Sequence, residues 1–288
     1  MKFSKLVADR YAEEIDLDFS KIQETDTLKS ILSRRSIRKF LNKPISKELL
    51  SLILAAAQSA PSKSNLQQYS ILVIQDQNIK NEISNLIGNT KWALTAPIFF
   101  LYLADIRRNI KITNDRGYEH KNNNVDTFMN CVIDAALSMQ STICASESLG
   151  LGVCPISMIR NIIEEVKVIC KLPKGVFPIA GLAVGWPDQK SNVSIRLSQD
   201  IVIHFDKYDE EDLIQKINKY DERVFKKDPI PEDKQRHVDL YGVAKKGTWS
   251  ENISRQLSIP ERSNFKKWLN ENGFNLESYL SLIHISEP

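Results

Sequence analysis

The longest periodic stretch of the chain, residues 125–149, limits most strongly what the chain can fold into. Apolar side chains recur there at steps of three and four residues, which is the spacing of one face of an α-helix. Gly150 follows the stretch and is a typical helix terminator. The pattern predicts a long helix in the core or at a subunit interface. Its predicted apolar face consists of Val125, Phe128, Met129, Val132, Ile133, Ala136, Met139 and Ile143.

Shorter patterns on both sides of this helix predict a mixture of helices and strands. Ser46 is a suitable N-cap for a helix at 46–59, and Pro61 closes that helix. Runs of β-branched and aromatic residues predict strands at 69–74, 98–103, 152–156 and 176–184. Further helices are predicted at 160–171, 210–221 and 265–272, with a loop at 225–247.

Composition argues against several classes of protein. The net charge of +3 is too small to indicate a nucleic-acid or membrane partner. No apolar run reaches the roughly 18 residues that a membrane span requires. The 4 cysteines form no CxxC pair and have no His-rich partner pattern, so we expect no metal site and reduced thiols. The charged first residues lack a signal-peptide core, so a cytoplasmic location is expected.

Basic residues are concentrated in one short segment. Arg34, Arg35 and Arg38 flank Ser36. Guanidinium groups and a hydroxyl suit a phosphate dianion, because arginine forms paired, charge-assisted hydrogen bonds of fixed geometry. A solvated basic turn before a helix has the same pattern, and from these residues alone both interpretations stay open.

A second polar cluster follows the helix at 46–59. Ser62, Asn65 and Gln67 supply amide and hydroxyl groups that match the mixed donor and acceptor edge of a planar heterocycle such as a flavin. An ordinary Pro-Ser-Asn loop between a helix and a strand is the alternative.

Four segments, taken in order, carry a resemblance to a known family. They are SRRSIRKF at 33–40, SAPSKSNLQQYSILVI at 59–74, GLGVCPI at 150–156 and PIAGLAVGWP at 178–187. Together they resemble the nitroreductase and flavin reductase family, and the likeness runs from about residue 28 to residue 273. The resemblance implies an α+β fold with a central, mostly antiparallel sheet flanked by helices. It also implies a domain-swapped homodimer that holds FMN between its two subunits.

The same resemblance divides the chain into parts. Residues 1–26 are expected to be an N-terminal extension and residues 27–198 the FMN-binding core. Residues 199–280 are expected to form a C-terminal extension that wraps the dimer. The final LSLIHISEP resembles a translated sequencing-adapter fragment, so residues 281–288 are left out of the functional interpretation.

The resemblance also assigns roles to individual residues. Arg34 and Ser36 are expected at the FMN phosphate, Arg35 in the same cofactor-binding segment, and Arg38 at the flavin N1 and O2 edge. Lys91 takes the place of a second basic residue near that edge, although an exposed loop lysine is an equally open interpretation. Positive charge at this edge favours the reduced flavin anion.

Further cofactor contacts come from more distant parts of the chain. Ser62, Asn65 and Gln67 are expected to reach the FMN of the other subunit. Arg196 is expected to be a second phosphate-contacting arginine. The backbone of Ile156 and Ser157 is expected to approach the flavin near N5.

Three departures from the family pattern change the expected flavin environment. Ser194 stands where relatives often have a lysine, which weakens the phosphate clamp. Ser157 and Met158 carry side chains where relatives have glycines, which predicts a narrower pocket. Thr90 replaces a glutamine beside the basic residue at the pyrimidine edge.

The implied activity is an FMN-dependent NAD(P)H oxidoreductase. Hydride would pass from the nicotinamide to FMN N5 and then to a nitroaromatic, a quinone or free flavin in ping-pong fashion, with no catalytic side chain required. A flavin reductase that supplies reduced FMN to a partner, and a flavin-binding protein of low turnover, are the alternatives.

The expected electron donor is NADPH, with NADH as a second possibility. Relatives carry arginines before a TWS-type sequence that meet the 2′-phosphate of NADPH. Lys245 and Lys246 stand at the matching positions in YGVAKKGTWSENI, residues 241–253. An exposed lysine pair in a loop is the equally open alternative.

Overall fold

An antiparallel sheet flanked by helices forms the centre of the molecule, which confirms the predicted α+β fold. The computed structural model describes residues 2–276, without the side chains of Asn89 and Lys91. The order of the strands across the sheet is β1-β2-β4-β3, and each neighbouring pair is antiparallel. The strands are β1 (Tyr69–Ile74), β2 (Ile98–Asp105), β3 (Gly152–Ile156) and β4 (Val176–Gly185).

Helices make up most of the remaining ordered structure. Within the described residues none of them is both long enough and apolar enough to cross a membrane. They are α1 (Phe3–Tyr11), α2 (Asp26–Ser33), α3 (Lys47–Gln58), α4 (Gln77–Leu86), α5 (Arg107–Asp115), α6 (Val125–Ser148), α7 (Ile163–Ile169), α8 (Gln199–Val202), α9 (Leu213–Lys227), α10 (Val238–Tyr241), α11 (Trp249–Leu257) and α12 (Phe265–Glu271).

The two central strands are buried along their whole length, because helices cover both faces of the sheet. Successive side chains of a strand point to opposite faces. On one face Phe100 and Tyr102 belong to the hydrophobic cluster that includes residues of α3 and α6. On the other face Phe99 and Leu101 pack in a cluster with residues of α4 and α7.

The chain divides into two compact units that are not continuous in sequence. Among the described residues, 2–35 and 192–261 form the first unit, while 36–191 and 262–276 form the second. Within these described ranges the buried apolar side chains of the first unit are few, namely Phe3, Leu6, Tyr220 and Val224. The predicted division at 26, 198 and 280 stays a prediction, and residues 281–288 lie outside the described part.

The end of the described chain packs within the second unit through an aromatic cluster. The ring of Phe177, on β4, lies edge-on to Phe265 at 5.0 Å and to Trp268 at 5.5 Å between ring centroids. Phe128 of α6 and Phe274 complete the cluster. Edge-to-face pairs at these distances add to the burial of the rings, so α12 is part of the same core as the sheet.

The predicted apolar face of α6 is divided between the core and the surface. Ile143 belongs to the core cluster, and Phe128, Val132 and Met139 pack against it, whereas Val125, Met129 and Ile133 are 45%, 54% and 49% exposed. Small and polar residues form most of the buried face, and they let the helix approach the sheet closely. The buried residues are Thr127, Cys131, Asp134, Ala135, Ser138, Thr142, Ile143 and Ser146.

Other differences concern where elements begin and end. The strands at 69–74 and 152–156 have the predicted bounds, and Ser46 caps α3 by accepting a hydrogen bond from the Leu49 N–H. The helix predicted at 160–171 starts as a 3-10 segment, Met158–Ile162, and becomes α-helical only at Ile163. The loop predicted at 225–247 starts later, because α9 extends to Lys227, and it is interrupted by the short helix α10.

The segment after the boundary between the units lies against the edge of β3. Ser36 forms a parallel bridge with Val153, and the Ile37 N–H donates to the Val153 carbonyl at 3.0 Å. Gly152 makes this approach possible, because a Cβ atom at that position would lie 2.8 Å from the Ile37 Cβ. A branched Cβ cannot rotate away as the end of a flexible side chain can. Gly152 therefore places Ser36 and the basic residues that follow it.

Gly152→Ala should lower the free energy of unfolding by about 1–3 kcal/mol, because the added methyl overpacks the contact with Ile37. Chemical denaturation of the variant and the parent would measure this difference. Ser157→Ala, at an exposed position just beyond the same strand, serves as the control and should leave stability within about 0.5 kcal/mol of the parent. An unfolding midpoint unchanged by Gly152→Ala would show that the segment does not need this close approach.

Candidate functional site

The backbone from Ser36 onward is fixed in the second unit, while the side chain of Arg38 points out of the fold. The Arg38 N–H donates to the Gln189 side-chain oxygen at 3.1 Å, and the Ser191 hydroxyl donates to the Ser36 carbonyl at 3.2 Å. Arg38 is exposed, and its guanidinium carbon lies 5.9 Å from the centroid of the Trp92 ring. This distance is within the range of a cation–π contact.

The contact with Trp92 brings the segment around Lys91 close to Arg38. Trp92 belongs to the 3-10 segment Gly88–Thr95, which also contains Lys91. The side chain of Lys91 is outside the description, so its predicted role stays a prediction. At the end of this segment the buried Lys80 ammonium donates to the carbonyls of Ala96 and Pro97 at 2.9 and 3.1 Å. Burial lowers the pKa of Lys80.

Strand β3 ends at Ile156, and Ser157 is the first residue after it. Ile156 is buried and pairs with Gly181 of β4, whereas Ser157 is exposed. Met158 is partly buried and packs against the hydrophobic cluster on the α4 and α7 face of the sheet. Of the two side chains expected to narrow the pocket, Met158 therefore contributes to the core, and Ser157 is the exposed one.

The loop between α3 and β1 brings together Ser62, Asn65 and Gln67. The Ser62 hydroxyl accepts from the Gln67 N–H at 2.8 Å, and the Gln67 side-chain amide donates to the Asn65 side-chain oxygen at 3.2 Å. Asn65 and Gln67 are exposed. The single hydroxyl proton of Ser62 is donated to Asp134, so only a lone pair of this oxygen remains for another partner.

Asp134 is a residue of this region that the sequence reasoning missed. Its carboxylate lies on the buried face of α6, is 1% exposed, and accepts hydrogen bonds from Ser62, Lys63 and Gln68. The signal in the sequence is a lone acidic residue inside an otherwise apolar helical run, VIDAAL. Such a carboxylate is buried only where donors satisfy it.

Arg10 is a second residue that the sequence reasoning missed, and in the first unit it connects the segments of Arg34 and Arg196. The Arg10 guanidinium donates to the carbonyls of Leu32, Arg34 and Ser194, each at 2.9 Å. The Arg196 N–H in turn donates to the Arg10 carbonyl at 2.9 Å. Arg10 thereby joins the chain at Arg34 to the chain at Arg196 inside this unit. Arg35 and Arg196 are exposed.

Lys245 and Lys246 lie exposed on a short turn of the first unit. The turn is fixed on both sides, since the Gln235 side chain bonds the backbone of Ala244 and the Ile230 N–H donates to the Gly247 carbonyl at 2.9 Å. A Cβ at Gly247 would lie 2.0 Å from the Ile230 carbonyl oxygen. Gly247 therefore allows a close backbone approach to Ile230.

The structure thus brings some predicted residues together and leaves others apart. In the second unit Ser36 and Ile37 lie against Val153 of β3, and Arg38 follows them and bonds to Gln189 through its backbone. The Ser62–Gln67 loop is organised separately by α6. Arg34, Arg35, Arg196 and the lysine pair belong to the first unit.

Comparisons with known proteins agree with this architecture. The model of the nitroreductase family matches residues 31–186, and that of the nitroreductase family C-terminal domain matches residues 195–277. An FMN reductase [NAD(P)H] of Bacillus subtilis is 36% identical over 69% of this chain and 81% of its own. An oxygen-insensitive NADPH nitroreductase of Salmonella typhimurium is 31% identical over 86% of this chain and 98% of its own.

A solved structure shows the same fold. The hypothetical oxidoreductase YcnD from Bacillus subtilis superimposes with a TM-score of 0.80 at 30% identity, covering 88% of this chain and all of that one. The family model of the core spans more than half of the present chain. The chain belongs to the nitroreductase family.

Proposed function

We propose that this protein is an FMN-dependent NAD(P)H oxidoreductase that reduces nitroaromatics, quinones or free flavin. The observation that carries the proposal is the pairing of the Ser36 segment, which continues to Arg38, with β3, the strand that leads to Ile156 and Ser157. These are the residues that the family pattern assigns to the flavin. The two named relatives, an FMN reductase and a nitroreductase, support the same reaction class.

The donor set fits a flavin phosphate and its pyrimidine edge. In residues 2–276 no carboxylate forms an ion pair with Arg35, Arg38 or Arg196, so their guanidinium charge is not neutralised inside the chain. Such groups suit a phosphate dianion or a developing anion. We assign to the cofactor Arg34, Arg35, Ser36, Arg38, Lys91, Ile156, Ser157 and Arg196, together with Ser62, Asn65 and Gln67 from a second copy of the chain.

Bound FMN supplies the hydride-accepting centre at N5. The chain's own contribution is binding and charge. Arg38 would stabilise negative charge at the pyrimidine edge of the flavin, and the backbone of Ile156 and Ser157 would line the ring. No side chain of the site has to act as an acid or a base.

A homodimer forms part of the proposal. Val125, Met129, Ile133 and Leu137 recur every four residues on α6 and are 38–54% exposed, which leaves an apolar stripe on the side of the helix opposite its buried face. A second copy of the chain would cover this stripe, since a two-fold interface brings the same patch together from both subunits. The loop at 62–67 would then complete the site of the other subunit.

The donor is proposed to be NADPH, with its 2′-phosphate held by Lys245 and Lys246. A lysine ammonium is a point charge without the bidentate fork of arginine, so discrimination against NADH should be modest. A flavin reductase that releases reduced FMN to a partner protein is the second candidate, which the relative named as an FMN reductase supports. We also propose the division into extension 1–26, core 27–198 and extension 199–280.

Arg38→Ala should weaken FMN binding by about tenfold or more, because it removes one charge-assisted contact. It should also lower the flavin midpoint potential. Fluorescence quenching and spectroelectrochemistry measure the two effects. Lys39→Ala, which removes the same charge from the neighbouring residue that pairs with Asp188, is the control and should change neither. A parent protein that purifies colourless and quenches no FMN fluorescence would rule out the flavin site.

Ile133→Glu should convert the dimer to a monomer, since it places a charge in the apolar stripe of α6. Sedimentation velocity would show the change in mass. Val168→Glu is the matched control, because Val168 is 74% exposed on α7, outside the stripe. A parent that sediments as a monomer and still binds FMN tightly would contradict both the dimer and the shared site.

The double substitution Lys245→Ala with Lys246→Ala should raise the KM for NADPH several-fold, about 1 kcal/mol of binding, and leave the KM for NADH unchanged. Steady-state kinetics with both donors give the comparison. Lys226→Ala with Lys227→Ala removes an equally exposed pair from the end of α9 and is the control. Equal increases for both donors, or none, would show that these lysines do not recognise the 2′-phosphate.

A further inference from the structure

The buried carboxylate of Asp134 holds both ends of the loop between α3 and β1. Its Oδ2 accepts from the Ser62 hydroxyl at 2.7 Å and from the Gln68 N–H at 3.0 Å. Its Oδ1 accepts from the Lys63 N–H at 3.2 Å. Ser62 and Lys63 begin the loop and Gln68 ends it, so one side chain on α6 closes a segment that starts about seventy positions earlier in the chain.

The loop needs such an anchor because its backbone is unfavourable by itself. Ser64, Asn65 and Gln67 have φ angles of 49°, 56° and 50°, in the left-handed region that residues with a Cβ rarely adopt. Surrounding contacts must maintain this conformation. Two of the three residues, Asn65 and Gln67, are among those assigned to the flavin, so the same backbone angles set the direction of both side chains.

We propose that Asp134 is a positioning residue for flavin binding, which acts only through Ser62 and the two backbone N–H groups. The inference rests on the proposed function, since the loop is assigned to the flavin of a second copy. Asp134 itself is 1% exposed and is therefore out of reach of a bound cofactor. The neighbouring Ile133 lies on the exposed stripe of α6. One turn of this helix thus fixes the loop on one side and presents the proposed dimer surface on the other.

Asp134→Asn is the most informative substitution, because it keeps the shape of the side chain and replaces one of its two hydrogen-bond acceptor oxygens. An asparagine offers one oxygen and one NH₂ group. With the oxygen in the Oδ2 position, the NH₂ group faces the Lys63 N–H. With the amide turned over, it faces both the Ser62 hydroxyl and the Gln68 N–H. In either orientation at least one donor meets a donor, and the loop loses part of its anchor.

The test applies two measurements to the full-length proteins as purified. The first is the Kd for FMN, from ultrafiltration of the holoprotein. The second is the rate of trypsin cleavage after Lys63, which lies exposed in the loop, with the fragment identified by mass spectrometry. Asp134→Asn should raise the Kd and the cleavage rate by about tenfold each, corresponding to the loss of one buried hydrogen bond to a charged group.

Two control variants separate positioning from general stability. Asp115→Asn removes an exposed carboxylate that pairs with Arg116 at the end of α5, and neither measurement should change by more than about twofold. Tyr102→Phe removes the buried hydrogen bond between Tyr102 and Thr142, at the packing of β2 against α6. It should lower the unfolding temperature without changing the Kd for FMN or cleavage after Lys63. If Tyr102→Phe weakened FMN binding as much as Asp134→Asn, the positioning role would be overturned.

The outcomes distinguish this inference from the proposed function. If the parent chain binds no FMN, the proposed function fails, and cleavage after Lys63 still decides whether Asp134 orders the loop. If the parent binds FMN and Asp134→Asn changes neither measurement, the inference fails and the proposed function stands. Should Asp134→Asn not fold, Ser62→Ala removes one of the three donors and should raise both quantities by a smaller factor. No change in that variant would also overturn the inference.

Discussion

Burial of the central strands from both sides is the constraint on which the rest of the structure depends. Every residue of β2 and β4 is buried, so the sheet can exist only between two layers of helices. Alternate residues of β2, such as Phe99 and Phe100, contribute to separate hydrophobic clusters on the two faces. The edge strand β3 is left beside β4, and its free edge is where the segment of Ser36 lies. The position of the candidate site therefore follows from the order of the strands.

The sequence predicted elements well where local chemistry decides and poorly where packing decides. Continuous apolar runs correctly predicted the bounds of the strands at 69–74 and 152–156, and Ser46 correctly predicted the N-cap of α3. The buried face of α6 could not be predicted in this way, because the most apolar face of a helix need not face its own core. Here the side with small residues such as Ala135 and Ser138 packs inward, where a close approach is needed.

The candidate site was only partly visible in the sequence for a related reason. The basic segment at 34–38 and the polar loop at 62–67 could be identified from the chemistry of their own side chains. The residues that hold these segments could not, since their partners are far away in the chain. Asp134 on α6 accepts a hydrogen bond from Ser62, and Arg10 donates one to the Ser194 carbonyl within the first unit. A pattern read along the chain does not contain such pairs.

Arg38 and Arg196 are each held by their backbone within their own unit, so their side chains stay available for a ligand. The Arg38 N–H bonds to Gln189, and the Arg196 N–H bonds to the Arg10 carbonyl. Neither of these bonds uses a guanidinium group. Had these arginines been held by carboxylates, their charge would have been neutralised before a phosphate or a reduced ring could use it. Because the backbone carries the structural role, the side chains keep their charge, which is the condition for the preorganised anion binding that we propose.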